Sequence, residues 1–468
     1  MEESNLDESS RVRVKLVSVL EEYSVPSDDI AVPSSIRRPG LSKVVNYLLG
    51  NADNSDSDDS DNDNDNDHDN DHDHDNNTSS KKTSSSSRLE FDFLVDNKFL
   101  RQSVEGYMRS NNISSEDVLR IEFLPKAKKP EEDKNDNEAL PDWVSSLSYY
   151  SNPNNNSTNA FLASGCYDGA VRIYDPVTMS NLTSLPCHSS SIRSVATSSS
   201  LIASSGHDQQ LLIHTYTCGT PSLTTTLSLK GSTSTIESLA FSDDGGLLAA
   251  GDFEGGVFVY DVNAEGSERT TEATTKAKKR KTDKNSSSST KDLAPLHSNK
   301  LHVTAVSGVV FSSDSKTLYS CSHDYSVRAT DLATQNPLLT LNGNKVATCL
   351  AKPTSSSKDV LATGHPDSRI KLWDMRIDST TSAATYNSTL RPSHKGYISD
   401  LSFDPTDPYK LSSSSYDGLV KTWDIRCELP MHTIKAHNKN GGKALAVEYG
   451  KECIFSAGTD GNVKKWQV

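Results

Sequence analysis

Serine, histidine and aspartate recur at fixed spacing in the second half of the chain. Ser413 stands four residues before Asp417, His394 lies upstream of both, and the same set returns 43 residues later at Asp460. These residue types could form a triad in which histidine deprotonates the serine hydroxyl and aspartate orients the histidine. A nucleophilic site would occur once, whereas this set is repeated. We therefore interpret it as a series of buried structural hydrogen-bond networks.

The proposed networks combine an aspartate in a tight turn, a histidine near the start of the repeat and an aromatic residue near its end. His214 and Ala329 occupy the aromatic position in the second and fourth copies. The serines named for the networks are Ser164, Ser413 and Ser456. The other members are Asp168, Asp208, Asp324, Asp367, Asp417 and Asp460, with His188, His394 and His437, and Trp373, Trp423 and Trp466.

The turn acids define a sevenfold repeat. With Glu254 as the acid of the third copy, their separations are 40, 46, 70, 43, 50 and 43 residues, and the longest contains an insertion. A period of about 40–45 residues with alternating strands and a Trp-Asp ending is typical of WD-repeat propeller blades. In Tyr-Asp-Gly at 167–169 and 416–418, glycine supplies the positive φ that the turn needs. The strand that completes the last blade must come from before Trp143, within the polar stretch 131–142.

The first part of the chain predicts a small separate domain. Residues 11–20 alternate basic and apolar side chains as a half-buried strand does, and a helix is expected after Pro39. Further strands are expected at 89–95 and 119–124, with a helix at 100–109 between them. The fold class is therefore mainly β, with an N-terminal β-grasp (ubiquitin-like) domain followed by a seven-bladed WD-repeat β-propeller. The predicted limits are a tail at 1–10, the first domain at 11–126, a linker at 127–141 and the propeller at 142–468.

An acidic insertion at 51–88 interrupts the first domain. Residues 51–77 hold twelve Asp and no Lys or Arg, so most of the net charge of −15 is local. Such a polar segment cannot bury enough surface to fold. His68, His72 and His74 raise a metal-site hypothesis, but the regular ligand geometry of a metal site is missing, and a solvated loop is the favoured interpretation.

A basic insertion at 263–296 interrupts the propeller. Its cations are Lys276, Lys278, Lys279, Arg280 and Lys281. Such a run predicts a nuclear-localisation signal or an RNA-contacting loop, and a plain solvated loop remains open.

Composition limits the remaining classes of function. The seven cysteines contain no C-x-x-C pair, which favours reduced, buried thiols over disulfides or a zinc site. The N-terminus is acidic and no apolar run reaches the roughly 18 residues of a membrane span, so a soluble intracellular protein is expected. No phosphate-binding glycine loop or polarised pocket emerges, so an enzyme is not expected.

The order of these features resembles one family. A ubiquitin-like domain, the sequence DWVSSL at 142–147 and seven blades with a basic insertion after the third are similar to the WD-repeat ribosome-biogenesis protein that acts with pescadillo and the block-of-proliferation protein. Further matching stretches are 41–49, 91–95, 99–101 and 112–116. The notchless protein has a similar domain order, and the seven blades after DWVSSL favour the first assignment.

The resemblance implies a non-catalytic scaffold in a nucleolar complex, required for maturation of 5.8S and large-subunit ribosomal RNA. Its implied location is the nucleus, with both nucleolus and nucleoplasm, and its implied partners include large-subunit precursor particles, with direct contact to rRNA left open. It also implies that the ubiquitin-like domain docks on the AAA ATPase midasin, where a glutamate completes a Mg²⁺ site held by midasin. On this sequence that glutamate is Glu116. The resemblance also implies that the chain holds no cofactor of its own.

Two alternatives remain open. Ser115 could cap a short helical turn whose N-terminus Glu116 and Asp117 merely favour. The chain could also be a WD-repeat substrate receptor of a ubiquitin ligase or a signalling adaptor. No ligase-binding motif stands beside the propeller, and the basic insertion favours the nucleus.

Overall fold

The computed structural model describes the chain except for residues 1–10, 27, 51–88, 115, 134–138, 152–159, 218–221, 264–290, 355–359, 376–385 and 439–440. It divides into two compact units, residues 1–127 and 128–468. The candidate metal histidines His68, His72 and His74 and the basic tract at 276–281 lie outside the described residues. Among the helices that are described, none has the length and apolar character needed to cross a bilayer.

The first unit is one sheet with two helices. The sheet has the order β2-β1-β5-β3-β4, and β1 and β5 run parallel. A helix packed across a mixed sheet of this order is the β-grasp arrangement. The elements are β1 (Arg11–Ser18), a 3-10 turn (Glu21–Tyr23), β2 (Asp29–Pro33), α1 (Arg38–Leu48), β3 (Phe91–Val95), β4 (Lys98–Phe99), α2 (Val104–Ser110) and β5 (Leu119–Pro125).

Alternation along β1 separates the core of this unit from its surface. Val12, Val14 and Leu16 are buried in the core, where Leu41 and Val45 of α1 pack with them. Burying each such side chain contributes about 1.5–3 kcal/mol. The intervening arginines of β1 point to the opposite face of the sheet, because successive strand residues alternate sides.

The second unit is a ring of seven sheets within the described residues. This confirms the propeller predicted from the repeat. A short strand β6 (Glu131–Asp133) comes first, and the blades follow in chain order. Blade one contains β7 (Val144–Tyr150), β8 (Phe161–Cys166), β9 (Ala170–Tyr174) and β10 (Asn181–Pro186). Blade two contains β11 (Ile192–Thr197), β12 (Leu201–Gly206), β13 (Leu211–Thr217) and β14 (Ser222–Leu229). Blade three contains β15 (Ile236–Phe241), β16 (Leu247–Asp252), β17 (Gly256–Asp261) and, after an intervening β18 (Lys291–Leu293), β19 (His297–Lys300).

The last four blades repeat the plan of four antiparallel strands. Blade four contains β20 (Val306–Phe311), β21 (Thr317–Ser322), β22 (Ser326–Asp331) and β23 (Pro337–Asn342). Blade five contains β24 (Cys349–Ala351), β25 (Val360–Gly364), β26 (Ile370–Asp374) and β27 (Tyr386–Thr389). Blade six contains β28 (Ile398–Phe403), β29 (Lys410–Ser415), β30 (Val420–Asp424) and β31 (His432–Ile434). Blade seven contains β32 (Ala444–Tyr449), β33 (Cys453–Gly458) and β34 (Val463–Gln467), completed by β6.

Hydroxyl groups join neighbouring blades. The first strands of consecutive blades contact one another, and β32 contacts β7 to close the ring. At several junctions a hydroxyl group near the start of the first strand of one blade donates to the carbonyl oxygen of the first residue in the next blade. The distance between the hydroxyl and carbonyl oxygens is 2.7 Å from Ser145 to Ile192, 2.7 Å from Thr348 to Ile398 and 2.9 Å from Ser399 to Ala444. Each such bond is worth about 0.5–1.5 kcal/mol and fixes the stagger of adjacent blades.

The turn after each second strand requires a left-handed residue in all seven blades. Glycine takes this role in four blades, and Gln209, Tyr325 and Ser368 take it in the others with φ of 62°, 69° and 63°. Space also matters at Gly169, where an added Cβ would lie 2.4 Å from the His188 carbonyl oxygen. Glycine is therefore required at Gly169, while the turns at Gln209, Tyr325 and Ser368 accept a side chain at a cost in strain.

The predicted linker contains the closing strand expected within 131–142, and the basic insertion contains a strand that was not expected. β6 lies within the predicted linker 127–141 and pairs antiparallel with β34, Glu132 opposite Trp466. β18 lies within the predicted disordered insertion 263–296 and adds a fifth, parallel strand to blade two, Lys291 opposite Leu227. Both strands are short and polar, and long-range pairing rather than local propensity forms them.

Candidate docking site

The serine, histidine and aspartate of the repeat meet inside the blades. In blade six His394 Nδ1 lies 3.0 Å from Asp417 Oδ2, and His394 Nε2 lies 2.8 Å from Ser413 Oγ. The Trp423 indole N–H donates to the same Ser413 oxygen at 2.8 Å. Blade seven repeats the set with His437, Asp460, Ser456 and Trp466 at 2.8–3.0 Å. The pattern assigns the histidine proton to Nδ1, so Nε2 accepts from the serine hydroxyl.

Blade two uses a second histidine where other blades use tryptophan. His188 binds Asp208 at 2.9 Å and Ser204 at 2.8 Å, and His214 Nε2 lies 2.7 Å from the same serine oxygen. Burial lowers the pKa of His214 to about 3, with the nearby His188 adding to the effect. His214 is therefore neutral at physiological pH and can replace the indole donor.

Blade four carries a network that the sequence reading missed. His302 Nδ1 lies 3.1 Å from Asp324 and its Nε2 lies 2.8 Å from Ser320, while Ala329 supplies no fourth group. The signal was present, because Ser320 precedes Asp324 by the same four residues.

Three turn acids do not join a histidine. Asp168 binds Arg172 instead, at 3.1 Å from Nη1 to Oδ1. In blade five Trp373 donates to Thr363 at 2.7 Å, and Asp367 lies 4.0 Å from the exposed Arg369. In blade three the assignment of Glu254 as the turn acid is wrong, because Asp252 accepts the backbone N–H groups of this turn.

Asp252 replaces Glu254 in the turn of blade three. Its Oδ1 accepts from the backbone N–H of Glu254 at 3.0 Å and of Gly256 at 2.6 Å. Ser232 donates to its other oxygen at 3.1 Å, in the place where a histidine stands in blade two. Asp252 ends its strand and therefore reaches both amides, whereas Glu254 lies inside the turn.

A basic residue four positions after the turn acid was also missed. Lys371 Nζ donates to Asn344 Oδ1 at 2.6 Å, and Lys421 Nζ donates to the Ser393 carbonyl oxygen at 3.0 Å. Each lysine thus ties its third strand to the loop that leads into the same blade. The recurrence in sequence could have identified them, since Arg172, Arg328 and Lys464 stand at the same spacing.

Burial excludes the network serines as nucleophiles. Ser413 and Ser456 are 0% exposed, so no substrate can reach their hydroxyl groups. Burial opposes ionisation of Asp417, but hydrogen bonds from His394 and from the Lys395 and Leu419 amides outweigh it and lower its pKa to about 2. These networks stabilise the blades and do not form a docking surface.

Glu116 lies on the surface of the first unit, in the turn between α2 and β5. Its side chain is exposed, and among the described residues its carboxylate has no hydrogen bond or ion pair. The backbone around it is held: the Glu116 N–H donates to Ser114 Oγ at 3.3 Å, and Arg13 Nη2 donates to the Glu116 carbonyl oxygen at 3.1 Å. A fixed backbone carrying a free carboxylate suits a group that must ligate a partner.

One exposed cation, Arg13 on β1, lies at this turn, since it binds the Glu116 carbonyl oxygen. Arg11 is exposed two residues earlier on β1, and the exposed Arg120 of β5 lies opposite Lys15 and binds Glu122 at 3.3 Å. Among the described residues, no three His, Cys, Asp or Glu side chains converge so as to hold a metal ion. One carboxylate cannot fill the octahedral oxygen shell of Mg²⁺, so any metal here must bring ligands of its own.

Two family models match the chain. The model described as "NLE (NUC135) domain" matches residues 12–62, within the first unit. The model described as "WD domain, G-beta repeat" matches residues 139–175, 179–214, 223–261, 293–331, 335–374 and 385–424. These stretches correspond to blades one to six, and the geometry adds the seventh. The chain therefore contains an NLE domain followed by WD repeats.

Relatives of this NLE-domain WD-repeat chain match most or nearly all of its length. A protein of Arabidopsis thaliana named "Ribosome biogenesis protein WDR12 homolog" is 27% identical over 98% of this chain and 97% of its own. One of Scheffersomyces stipitis named "Ribosome biogenesis protein YTM1" is 27% identical over 99% of this chain and 98% of its own. A WDR12 homolog of Nematostella vectensis is 28% identical over 80% of this chain and 86% of its own.

Proposed function

We propose that the chain is a non-catalytic assembly factor of the large ribosomal subunit. The names of relatives that match it from end to end support this role. Its propeller acts as a scaffold in a complex with pescadillo and the block-of-proliferation WD-repeat protein, and that complex supports maturation of 5.8S and large-subunit rRNA. It works in the nucleus, in nucleolus and nucleoplasm, and the basic tract at 276–281 serves as its nuclear-localisation signal.

The first unit docks on the AAA ATPase midasin, and Glu116 is the docking ligand. The observation that carries this proposal is the free carboxylate on a backbone held by Ser114 and Arg13. Mg²⁺ accepts a carboxylate oxygen at about 2.0–2.1 Å and keeps several other oxygen ligands. Midasin would supply those ligands, and Glu116 would complete the shell.

Docking through a metal makes a link that an ATPase can pull and then release. The metal–carboxylate bond is strong along its axis yet exchangeable with water, because Mg²⁺ usually keeps waters in its shell. Force applied by midasin would pass through Arg13 and Ser114 into β1 and the α2–β5 turn. The product of this step is a large-subunit precursor freed of the scaffold complex.

Affinity purification of the tagged chain tests the proposal. Wild type is compared with Glu116→Ala and with Asp117→Ala, which removes the neighbouring exposed carboxylate. We expect wild type and Asp117→Ala to bring down pescadillo, its partner and large-subunit precursor RNA. We expect Glu116→Ala to retain these and to accumulate on precursors without midasin.

Two outcomes would count against the proposal. Recovery of cullin-type ligase subunits without precursor RNA would favour the substrate-receptor alternative. Equal midasin recovery with Glu116→Ala and wild type would remove Glu116 from the docking site while leaving the assembly role standing.

A further inference from the structure

Six of the seven blades present two residues side by side on one face of the propeller; in blade five the position before the turn acid is Pro366, which has no backbone N–H. The residue before the turn acid donates its N–H to the carbonyl of the residue before the first strand, as from Tyr167 to Trp143 and from Tyr416 to Tyr397, both at 2.9 Å. We call the face formed by these pairs the turn face. The blade geometry fixes the positions of these residues, and their side chains are not part of the buried networks.

Two aromatic pairs lie on this face. The rings of Trp143 and Tyr167 in blade one have centroids 5.4 Å apart, and those of Tyr397 and Tyr416 in blade six are 5.9 Å apart and stacked. Trp143, Tyr397 and Tyr416 are 46%, 56% and 42% exposed. Only blade seven separates the two pairs around the ring, since β32 contacts β7.

Cations lie between and beside these rings. In blade seven the corresponding pair is Lys443 and Thr459, and Lys443 Nζ lies 4.8 Å from the Tyr416 ring centroid. Lys395, two residues before Tyr397, is exposed. Aromatic faces and cations therefore alternate over blades six, seven and one.

Blade five extends the positive charge. Lys345 and Arg369 are exposed on its turn side. Lys371 Nζ donates to Asn344 Oδ1 at 2.6 Å, next to Lys345 in sequence, and Arg369 stands two residues before Lys371.

The carboxylates of the same sector accept hydrogen bonds or contact a cation. Asp417 and Asp460 are bound by His394 and His437. Asp142 accepts from the N–H of Trp143 at 2.8 Å, and Asp367 lies 4.0 Å from Arg369. Among the described residues, the exposed Lys345, Lys395 and Lys443 form no ion pair with a carboxylate.

Blades three and four provide an internal contrast. Phe253 is 57% exposed at the turn-face position of blade three, and Tyr325 of blade four is 51% exposed one residue after its turn acid. Glu254 follows Phe253, and the cation Arg193 of blade two is already bound to Glu237 of blade three. Aromatic exposure alone therefore does not distinguish the sector; within the described residues, the stacked Tyr397–Tyr416 pair with Lys443 beside it does.

We propose that the turn face over blades five, six, seven and one binds single-stranded RNA. Bases stack on the Tyr397–Tyr416 and Trp143–Tyr167 pairs, and phosphates contact Lys395 and Lys443. Alternating rings and cations along a surface are the usual platform for single strands, because every base has a stacking face. A peptide partner would be anchored by apolar side chains in packed pockets. The exposed aliphatic side chain Val303 could contribute to such an anchor, but it lies outside this sector, in the loop leading into blade four.

Binding of a 12-nucleotide oligouridylate to the full chain tests this inference. Lys276, Lys278, Lys279, Arg280 and Lys281 are replaced by serine in every sample so that their charge does not mask the site. We expect Tyr397→Ala/Tyr416→Ala to weaken binding at least about fivefold, since each stacked base is worth about 1–3 kcal/mol. Phe253→Ala removes an exposed ring at the turn-face position of blade three; it is the control and should bind as the parent does.

A second variant tests the phosphate contacts independently. Lys395→Ala/Lys443→Ala should lower the slope of log affinity against log salt by about 1.4, at about 0.7 per phosphate contact on a single strand. Thermal unfolding of each variant verifies that the propeller is intact.

Three results would overturn the inference. They are equal losses in the aromatic variant and its control, an unchanged salt slope, or loss of a protein partner with RNA binding retained. None of these bears on Glu116, so failure here and failure of midasin docking are distinguishable.

Discussion

Ser413 illustrates what single residues do in this molecule. Its hydroxyl donates to His394 and accepts from the Trp423 indole, both within 2.8 Å. A buried polar group left without its partner costs about 1–3 kcal/mol. The serine thus satisfies two buried nitrogens at once, which explains why the same spacing recurs in the blades.

Ser413→Ala should lower the free energy of unfolding by about 2–4 kcal/mol, because it leaves two buried nitrogens unpaired. Ser412→Ala is the matched control, since Ser412 is also fully buried on β29 and donates only to the Ser402 carbonyl oxygen at 3.1 Å. We expect that change to cost about 0.5–1.5 kcal/mol. Urea unfolding measures both, and equal losses would show that the network has no special weight.

Glu448 gives a residue-scale prediction for pH dependence. Burial, and then the neighbouring Asp400 carboxyl, raises the pKa of Glu448 to about 8, while burial raises that of Asp400 to about 7. An unfolded glutamate titrates near 4.3. Between about pH 4 and 8 the folded state therefore holds a proton that the unfolded state lacks, and stability falls as pH rises through this window.

Glu448→Gln should remove much of that dependence. Between pH 5 and pH 8 we expect wild type to lose at least about 1 kcal/mol more stability than the variant, roughly the value of one pKa unit. Unfolding midpoints at three pH values within the window measure the difference. Parallel pH profiles would mean that Glu448 is ionised in the fold as it is in solution.

At the scale of elements, the repeat was predictable and some strand pairings were not. A turn acid every 40 residues or so, with a left-handed residue after it, identifies each blade locally. Sequence also placed the closing strand of the last blade before Trp143, because no other segment was left. It missed β18, whose pairing with β14 depends on a neighbour 64 residues away (Leu227 to Lys291).

The candidate docking site was likewise predictable from sequence only in part. The exposure of the Glu116 carboxylate follows from a polar turn, but the hydrogen bond from Arg13 to its backbone spans 103 residues and has no local signal. Likewise Asp252 replaces Glu254 because of where β16 ends, which spacing alone could not show.

Closure of blade seven by β6 predicts an element-scale effect. Replacing Glu131–Asp133 by Pro-Gly-Pro keeps the chain length but removes strand donors to β34. We expect faster hydrogen exchange at Val463–Gln467 while β14 stays protected. Pro-Gly at Lys128 and Lys129 is the control, and unchanged exchange in β34 would show that the ring does not rely on this strand.

At the scale of the whole molecule, the two units divide the labour. The propeller offers a wide surface held rigid by buried networks, and the first unit offers the exposed carboxylate of Glu116 on a backbone bound by Arg13. A scaffold that is removed from its particle by force needs both features. The proposed assembly role therefore includes docking on midasin, and the bond between Glu116 and the metal is the step that can be tested most directly.

Binding of the full-length chain to the midasin domain that carries the metal site tests that bond directly. Affinity is measured with Mg²⁺ and with excess chelator, for wild type, Glu116→Asp and Asp117→Ala. The account predicts that wild type and Asp117→Ala bind only with Mg²⁺, and that Glu116→Asp fails because its oxygens retract by one methylene. Binding that survives chelation, or that Glu116→Asp retains at wild-type strength, would contradict it.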